Sequence, residues 1–334
     1  MGPDSSGPVS TPSDPILVAH DLSRSYGSRR ALRSLSFSLR RGRVLGFLGP
    51  NGAGKTTAIR VLTTVLEPTS GSFEVAGVGS DHPDRIRRYI GVLPEGLGFP
   101  RHTSGVDYLG YFGQLYGRRR ADARQTALDL LDIVGLRARA DSLIETYSHG
   151  MRQRLGIARA LVNDPRVVFL DEPTLGLDPR GQQELLAMIQ RIARERDAGV
   201  VLSSHLLSEI EGICDDVVIM HAGQIVAKGT VAEILGRASV DGGGHNTIRV
   251  RVPTPSIDTA AALVDGTDRA RTTDRDPNGW LTVDLADVDG SARDTDRNHL
   301  LDALIRADIP ILGFEVAGGR LQDVFLQLTA EAIE

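Results

Sequence analysis

Residues 49–56 follow the pattern GxxxxGK[ST], which is typical of loops that bind polyphosphates. The glycines let the backbone curl with its amide groups inward, and the helix that follows adds positive potential at its N-terminus. The Lys55 ammonium would reach the β- and γ-phosphates, and the Thr56 hydroxyl would ligate Mg²⁺. The residues of this predicted phosphate site are Gly49, Pro50, Asn51, Gly52, Ala53, Gly54, Lys55, Thr56 and Thr57.

The surroundings of this loop favour a binding site over a glycine-rich turn without a chemical role. A buried strand is predicted before it at Val44–Leu48, and a helix is predicted after it at Thr57–Leu66, ended by Pro68. Lys55 is also one of only two lysines among 38 basic residues, the rest being arginine. The cradle accepts a compact ammonium and not a planar guanidinium, so a lysine at this position indicates a binding role.

Two adjacent carboxylates follow a second apolar strand, which is predicted at Val167–Leu170. Asp171 at the strand tip would hold Mg²⁺, directly or through water. Glu172 would lie beside the γ-phosphate as the base that orients or deprotonates water. Many buried strands end in acidic residues, so this pattern is informative only together with the lysine loop.

The segment 147–154, YSHGMRQR, resembles the signature of the ATP-binding cassette (ABC) family of ATPases, and LGIARAL follows as in that family. The resemblance covers about residues 16–236 and implies ATP and Mg²⁺ as cofactors. It also implies that the signature contacts ATP bound to a second cassette, so that two ATP molecules lie between two chains. The residues that would make this contact are Ser148, His149, Gly150 and Met151.

The predicted helix N-terminus at Ser148 and Gly150 is an anion site on general grounds as well. The signature departs from the family pattern at two positions. His149 replaces the usual glycine and Met151 the usual glutamine. Neither of them provides the serine–phosphate contact of the family.

Further positions match elements of the family in chain order. The resemblance implies that Tyr26 stacks on adenine, that Asp178 lies in the loop joining the two active sites, and that His205 contacts the γ-phosphate. A strand-face tyrosine and a structural histidine are the alternatives for Tyr26 and His205. Glu95 replaces the glutamine of the family; its carboxylate either meets Mg²⁺ or water, or is an exposed loop acid.

The alternation of strands and helices predicts an α/β fold, namely a P-loop NTPase cassette with a mixed, largely parallel sheet and a helical subdomain. The cassette is predicted at 15–238 after a disordered leader at 1–14, with the helical subdomain at about 100–162. A glycine-rich linker at 239–245 would lead to a small α+β accessory domain at 246–334.

Two more detailed expectations concern these domains. Residues 104–162 are predicted to be helical throughout, and aromatic residues at i, i+3, i+4 spacing predict one buried face of Tyr108, Tyr111, Phe112 and Tyr116. In the accessory domain, strands are predicted at Thr247–Val252, Trp280–Leu285 and Ile311–Val316, and helices near His299–Ala307 and at the end of the chain.

The composition excludes several classes of protein. Hydrophobic residues at 41% and charged residues at 24% are typical of a globular protein, and no apolar run approaches the roughly 18–20 residues of a membrane-spanning helix. The single cysteine cannot form an internal disulfide, which fits a reducing compartment. The net charge of −5, with 17 acidic and 9 basic residues in 241–334, argues against a nucleic-acid partner and indicates a separate C-terminal module.

Within the ABC family, the chain looks most similar to the drug-resistance branch of exporter ATPases. This resemblance implies a peripheral subunit on the cytoplasmic face of the membrane that hydrolyses ATP and powers efflux of a drug-like, antibiotic or lipid-like substrate. Its implied partners are an integral membrane permease and a second cassette, expected to be an identical chain.

Two other functions remain as alternatives. The first is a soluble, non-transport ABC ATPase of the translation or DNA-repair type; the single cassette, the acidic tail and the lack of sustained heptads argue against it. The second is a regulator that binds ATP without turnover, which would not need the base at Glu172.

Overall fold

The computed structural model of the chain describes residues 14–96, 98–235, 247–267, 270–285 and 293–316. The chain divides into two compact units, Met1–Val231 and Ala232–Glu334. The predicted linker at 239–245, the predicted final helix, and the predicted leader except for Asp14 lie outside the described residues. The domain bounds predicted from the sequence therefore stay predictions.

The described part of the first unit contains ten strands and seven helices. The strands are β1 (Pro15–Tyr26), β2 (Arg29–Arg40), β3 (Val44–Leu48), β4 (Ser70–Val75), β5 (Val78–Gly79), β6 (Ile90–Leu93), β7 (Val167–Asp171), β8 (Gly199–Ser204), β9 (Asp216–His221) and β10 (Gln224–Thr230). The helices are α1 (Lys55–Leu62), α2 (Pro83–Ile86), α3 (Gly105–Leu115), α4 (Arg120–Ile133), α5 (His149–Ala160), α6 (Pro179–Glu195) and α7 (Leu207–Ile213). No helix among the described residues of the chain is long and apolar enough to cross a membrane.

A six-stranded sheet forms the centre of this unit, in the order β10-β9-β3-β8-β7-β6. Its strands are parallel except β10, which pairs with β9 in the antiparallel direction, so the predicted mixed, largely parallel sheet is confirmed. Leu48 pairs with Ser204, and Asp171 pairs with Ser203. The carboxyl ends of β3, β8 and β7 therefore meet at one edge of the sheet, where parallel α/β folds bind ligands.

A second, antiparallel sheet, in the order β2-β1-β4-β5, shares one hydrophobic core with the parallel sheet and α1. Phe47, Phe73 and Phe169 are fully buried in this core, and the rings of Phe37 and Phe47 meet edge to face with their centroids 5.2 Å apart. Because α1 packs into the same core, the loop before it is held at a defined place.

Helix α1 starts and ends earlier than the predicted Thr57–Leu66. It begins at Lys55 and ends at Leu62, because Thr64 adopts a left-handed conformation with φ of 61° and breaks the helix well before Pro68. The Thr63 hydroxyl donates to the Ile59 carbonyl oxygen at 2.8 Å and supports this end. The lysine of the loop thus belongs to the first turn of the helix.

Residues 104–162 contain three helices and not one continuous helical run. Gly117 and Gly135 end α3 and α4 in the left-handed conformation, with φ of 85° and 71°. Two short 3₁₀ turns, Arg137–Arg139 and Ile144–Thr146, then lead to α5. The prediction of helix throughout this region was therefore wrong at the places where glycine permits a turn.

The predicted aromatic core face is also wrong. Tyr108 is buried, but Tyr111 and Tyr116 are 58% and 49% exposed. Helix α3 instead buries a face that includes three glycines, and a Cβ atom at Gly113 would lie 3.0 Å from the Cβ atom of Ala123 in α4. The two helices approach closely along small residues, so the bulky rings are displaced toward solvent.

Gly91 in β6 lets the C-terminal end of α5 pack directly on the parallel sheet. A Cβ atom at this position would lie 2.0 Å from the carbonyl oxygen of Ala160. The neighbouring Arg159 donates to the Val92 carbonyl oxygen at 2.9 Å. Since α5 carries the signature segment at its other end, these contacts orient that segment relative to the sheet.

The described residues between Thr247 and Val316 of the second unit have the element order β-α-β-β-α-β, which is typical of ferredoxin-like folds. The elements are β11 (Thr247–Arg251), α8 (Ile257–Asp265), β12 (Ala270–Arg275), β13 (Trp280–Leu285), α9 (Arg293–Arg306) and β14 (Gly313–Val316). They form an antiparallel sheet in the order β12-β13-β11-β14, with Ile248, Val250, Leu281 and Val283 fully buried. The α+β class is confirmed, but α8 and β12 were not predicted.

We expect Gly91→Ala to lower the free energy of unfolding by about 1–3 kcal/mol, because only a backbone shift can make room for the methyl group. Urea unfolding followed by circular dichroism measures the change. Gly110→Ala is the matched control: a Cβ atom there meets nothing within 4 Å, and alanine favours helix, so stability should stay equal or rise slightly. A Gly91→Ala variant as stable as the wild type would contradict the packing of α5 on β6.

Candidate functional site

An open cavity of about 990 Å³ lies at the carboxyl edge of the parallel sheet. The predicted site residues that line it are Tyr26, Pro50, Asn51, Gly52, Ala53, Gly54, Lys55, Thr56, Thr57, Glu95, Glu172 and His205. Gly49 and Asp171 lie behind its wall, where they contact Lys55 and Thr56. The structure therefore brings together residues that are up to 179 positions apart in the chain.

The loop before α1 presents backbone amide groups to this cavity. Gly54 is the N-cap of α1 with φ of 107°, a conformation that a side chain would strain, and within the described chain no side chain caps this end. No acidic residue occupies the first turn, so the positive end of the helix is available to an anion. The Lys55 Nζ atom donates to the carbonyl oxygens of Gly49 at 2.7 Å and Pro50 at 3.3 Å.

The turn between β9 and β10 supports this loop from outside, a role that was not predicted from the sequence. The Gly223 amide donates to the Ala53 carbonyl oxygen at 3.0 Å, and the Gly223 carbonyl oxygen accepts from the Arg33 amide at 2.8 Å. A Cβ atom at Gly223 would lie 2.6 Å from the Ala31 carbonyl oxygen. The only signal in the sequence is a glycine in a predicted hairpin turn, which does not say what the turn contacts.

The oxygen atoms of Thr56 and Asp171 provide a site that fits Mg²⁺. The Thr56 hydroxyl donates to Asp171 Oδ1 at 3.2 Å, and the Ser203 hydroxyl donates to the same oxygen at 2.6 Å. Nowhere in the described ranges do three or more His, Cys, Asp or Glu side chains form a metal cluster. The Thr56 and Asp171 oxygens suit Mg²⁺, which is bound by one or two protein oxygens together with phosphate oxygens and water. Glu95 lines the cavity and is exposed.

Glu172 lies between two cationic or polar partners. Its Oε1 atom is 3.5 Å from Lys55 Nζ, and its Oε2 atom is 2.8 Å from His205 Nδ1. The side chain is only 11% exposed, and the residue has a left-handed backbone with φ of 47°. A carboxylate held in this way at the wall of a phosphate-binding cavity can act as a general base. His205 contacts this carboxylate in the structure.

Tyr26 lines the same cavity and is 44% exposed. The Arg24 guanidinium lies 5.0 Å from the centroid of its ring and donates to the Glu67 carbonyl oxygen at 2.7 Å. One face of the ring is thus braced, and the exposed part of the ring can stack on a base.

Four arginines that were not predicted as site residues also line the cavity. They are Arg29, Arg30, Arg33 and Arg60. Three of them follow Tyr26 within seven positions, and this clustering was the available signal. Their positive charge favours a polyanionic ligand.

The signature residues and Asp178 do not line this cavity. Ser148, His149, Gly150, Met151 and Asp178 line a second depression of about 370 Å³, and the described lining residues of the two depressions do not overlap. One chain by itself therefore does not bring the signature to its own phosphate loop.

Helix α5 begins with a capped N-terminus. The Ser148 hydroxyl caps it by accepting from the Met151 amide at 3.2 Å. The preceding Tyr147 is 2% exposed, and its hydroxyl donates to the Arg139 carbonyl oxygen at 2.7 Å. Burial raises the pKa of Tyr147, so this hydroxyl stays a neutral donor at physiological pH.

His149 ties the signature to the loop that follows Glu172. Its Nε2 atom lies 2.8 Å from the Leu175 carbonyl oxygen, and because a carbonyl only accepts, the proton is on Nε2. Its ring lies against Gly176, where a Cβ atom would come within 3.2 Å of Nε2. The chain thus accommodates a histidine at position 149, where the family has glycine, through these contacts with Leu175 and Gly176.

Comparisons with known proteins agree with this geometry. The family described as ABC transporter matches residues 32–175. The daunorubicin/doxorubicin resistance ATP-binding protein DrrA of Streptomyces peucetius is 34% identical over 92% of this chain and 90% of its own length. The uncharacterized ABC transporter ATP-binding protein YhcH of Bacillus subtilis is 32% identical over 96% of this chain and 97% of its own length. The bacitracin transport ATP-binding protein BcrA of Bacillus licheniformis is 40% identical over 64% of this chain and 69% of its own length.

Solved structures show the same fold. The ATP-binding subunit of an ABC transporter superposes with a TM-score of 0.60 at 32% identity, covering 68% of this chain and 95% of that chain. The dimeric MJ0796 cassette bound to ADP and Pi superposes with a TM-score of 0.58 at 20% identity, covering 64% of this chain and 98% of that chain. At this lower identity the second likeness concerns the fold alone.

We expect Glu172→Gln to keep ATP binding but to lower ATP turnover by about 100-fold or more, because the amide cannot take a proton from water. Phosphate release measures turnover, and titration with a fluorescent ATP analogue measures binding. Glu74→Gln, which changes an exposed carboxylate in β4, is the control and should turn over ATP like the wild type. Retained turnover in Glu172→Gln would rule out the base assignment.

We expect Lys55→Ala to weaken ATP binding by about 10-fold or more, because it removes a charged donor from the phosphate loop. The same fluorescence titration measures this dissociation constant. Lys228→Ala removes the only other lysine of the chain, which donates to the Ser36 carbonyl oxygen, and should leave the constant unchanged. Equal ATP affinity of Lys55→Ala and the wild type would contradict the cradle.

Proposed function

Because the chain belongs to the ABC transporter family of ATP-binding subunits, which are ATPases coupled to transport, we propose that it powers efflux of a drug-like, antibiotic or lipid-like substrate through a separate membrane permease. The observation that carries this proposal is the extent of the similarity to DrrA, which is named for resistance to daunorubicin and doxorubicin. That similarity covers 92% of the chain and so continues well beyond the 32–175 match of the family. A translation or DNA-repair ATPase is not favoured, because the relatives described above are transporter subunits.

In the proposed ATP site, the phosphates lie on the amides of the loop before α1 and the base stacks on Tyr26. Thr56 and Asp171 would hold Mg²⁺, and Glu95, which lines the same cavity, would contribute its carboxylate to the metal or to bound water. When bound, Mg²⁺ supplies positive charge that stabilises the phosphate oxygens during transfer. Arg29, Arg30 and Arg33 line the same cavity and add positive charge.

Glu172 is the proposed base that orients and deprotonates the attacking water. In the structure Lys55 lies close to this carboxylate, and the phosphates of ATP would replace it as the partner of the ammonium. His205 would keep Glu172 oriented through Nδ1 and contact the γ-phosphate with its remaining edge. Water activation then depends on the Glu172 carboxylate, which His205 keeps oriented and which stays negatively charged so that it can accept a proton.

We further infer that two identical chains share their ATP sites. The support is that Ser148 and Asp178 line a depression separate from the nucleotide cavity, at a helix N-terminus without acidic residues in its first turn. Such a helix N-terminus can bind the γ-phosphate of ATP that is held by a neighbouring chain. No nucleic-acid partner is proposed, in line with the acidic C-terminal part.

The proposed permease-docking surface lies in the helical part of the first unit. Tyr111 and Leu115 are 58% and 61% exposed on the outer face of α3. A depression of about 450 Å³ is lined by Phe99 and Arg101, which follow Glu95 closely in the chain, and by Ile144, Glu145 and Arg152. Exposed apolar side chains and a groove are features that suit a partner helix. Docking there would place the chain at the cytoplasmic face of the membrane as a peripheral subunit.

We expect the tagged chain to co-purify with a polytopic membrane protein from detergent-solubilised membranes of its own host, with higher ATPase activity in the complex. The double variant Tyr111→Ala, Leu115→Ala should lose this protein, because it removes the proposed docking side chains. Val65→Ala, which shortens an equally exposed apolar side chain outside α3, should retain it. Recovery of ribosomal or DNA-repair proteins, with the chain absent from membranes, would overturn the exporter proposal.

A further inference from the structure

We propose that Ser203 is a positioning residue of the ATPase site, which fixes the carboxylate of Asp171 and the backbone of Glu172 through a single hydroxyl group. Ser203 is fully buried in β8, where it pairs with Asp171 of the neighbouring strand β7. Its hydroxyl donates to Asp171 Oδ1 at 2.6 Å and accepts from the Glu172 amide at 2.9 Å. The inference rests on the proposed function, since it concerns the same Mg²⁺ and base positions.

The direction of the hydroxyl proton is determined by its two partners. The amide of Glu172 can only donate, so the single proton of Ser203 must point to the carboxylate of Asp171. Asp171 Oδ1 then accepts two hydroxyl protons, one from Ser203 and one from Thr56. The other carboxylate oxygen, Oδ2, is left for a cation, so Ser203 decides which oxygen of Asp171 is available.

The same hydroxyl also serves the backbone of the proposed base. Glu172 has φ of 47°, a left-handed conformation that residues other than glycine adopt rarely. Its amide donates to the Ser203 hydroxyl, while its carboxylate contacts His205, which directly follows β8. The end of β8 therefore holds both the main chain and the side chain of Glu172.

The next residue, Ser204, shows that burial alone does not give this role. It is as fully buried as Ser203, but its hydroxyl donates to Glu209 Oε2 at 2.5 Å and accepts from the Leu206 amide at 2.9 Å. These partners lie on the far side of the strand from Asp171, as the alternation of side chains in a strand requires. Ser204 is thus a matched control serine that contacts neither Asp171 nor Glu172.

The test measures how strongly Mg²⁺ promotes ADP binding to the purified full-length chain. The protein is titrated with fluorescent ADP, once in the presence of Mg²⁺ and once in the presence of EDTA. The dissociation constant with EDTA divided by the one with Mg²⁺ reports the metal site without turnover. We expect Ser203→Ala to lower this ratio by about 10-fold, as loss of a hydrogen bond to a metal ligand does elsewhere. Ser203→Thr, which keeps the hydroxyl, should restore most of it, and Ser204→Ala should keep the wild-type ratio.

A second measurement follows the backbone. Amide hydrogen exchange at Glu172 should be faster in Ser203→Ala than in the wild type and unchanged in Ser204→Ala. If the alanine variant does not fold, Ser203→Cys keeps a side chain of similar size with a weak donor and acceptor, and it should lower the ratio in the same way.

Two results would overturn the inference, and they differ in what else they affect. A wild-type ratio in folded Ser203→Ala, with unchanged exchange at Glu172, would refute the role of Ser203 and leave the proposed site intact. A wild-type chain that binds ADP equally well with Mg²⁺ and with EDTA would refute the Mg²⁺ site itself, and the inference with it.

Discussion

The parallel register of β3, β8 and β7 is the constraint on which the rest of the site depends. It brings Leu48, Ser204 and Asp171 to one edge of the sheet, so that the phosphate loop after β3 starts beside the two carboxylates after β7. A slip of one residue would turn every side chain to the other face and separate Thr56 from Asp171. The shared core of the two sheets and α1 keeps this register, because its fully buried phenylalanines leave no room for a slip.

Charge compensation is the second requirement of this edge. Lys55 and Glu172 are 6% and 11% exposed, and buried charges are tolerated only when they are paired and hydrogen-bonded. The two side chains meet this condition through each other, through the loop carbonyl oxygens, and through His205. The negatively charged phosphates of a nucleotide can replace Glu172 as the ionic partner of Lys55 at little electrostatic cost.

Local patterns were sufficient to predict the phosphate loop, the strand before Asp171 and the start of α5 at Ser148, because each depends on a few neighbouring residues. They failed where contacts between distant segments decide which side chains are buried or which residues support the site. The aromatic face of α3 was misplaced because Gly113 packs on Ala123 of another helix. Ser203 was not singled out because its partners are 32 and 31 positions away. Strand β12 was missed because its sequence, ARTTDR, is polar and has almost no buried position.

In the proposed dimer, one chain holds the nucleotide and a second chain completes the site with its signature. Sedimentation analysis of full-length Glu172→Gln, with and without ATP and Mg²⁺, tests it most directly. We predict the mass of one chain without ATP and of two chains with ATP, and a weaker dimer when Ser148→Ala is added. A single-chain mass at saturating ATP, with wild-type turnover that does not depend on protein concentration, would contradict the claim.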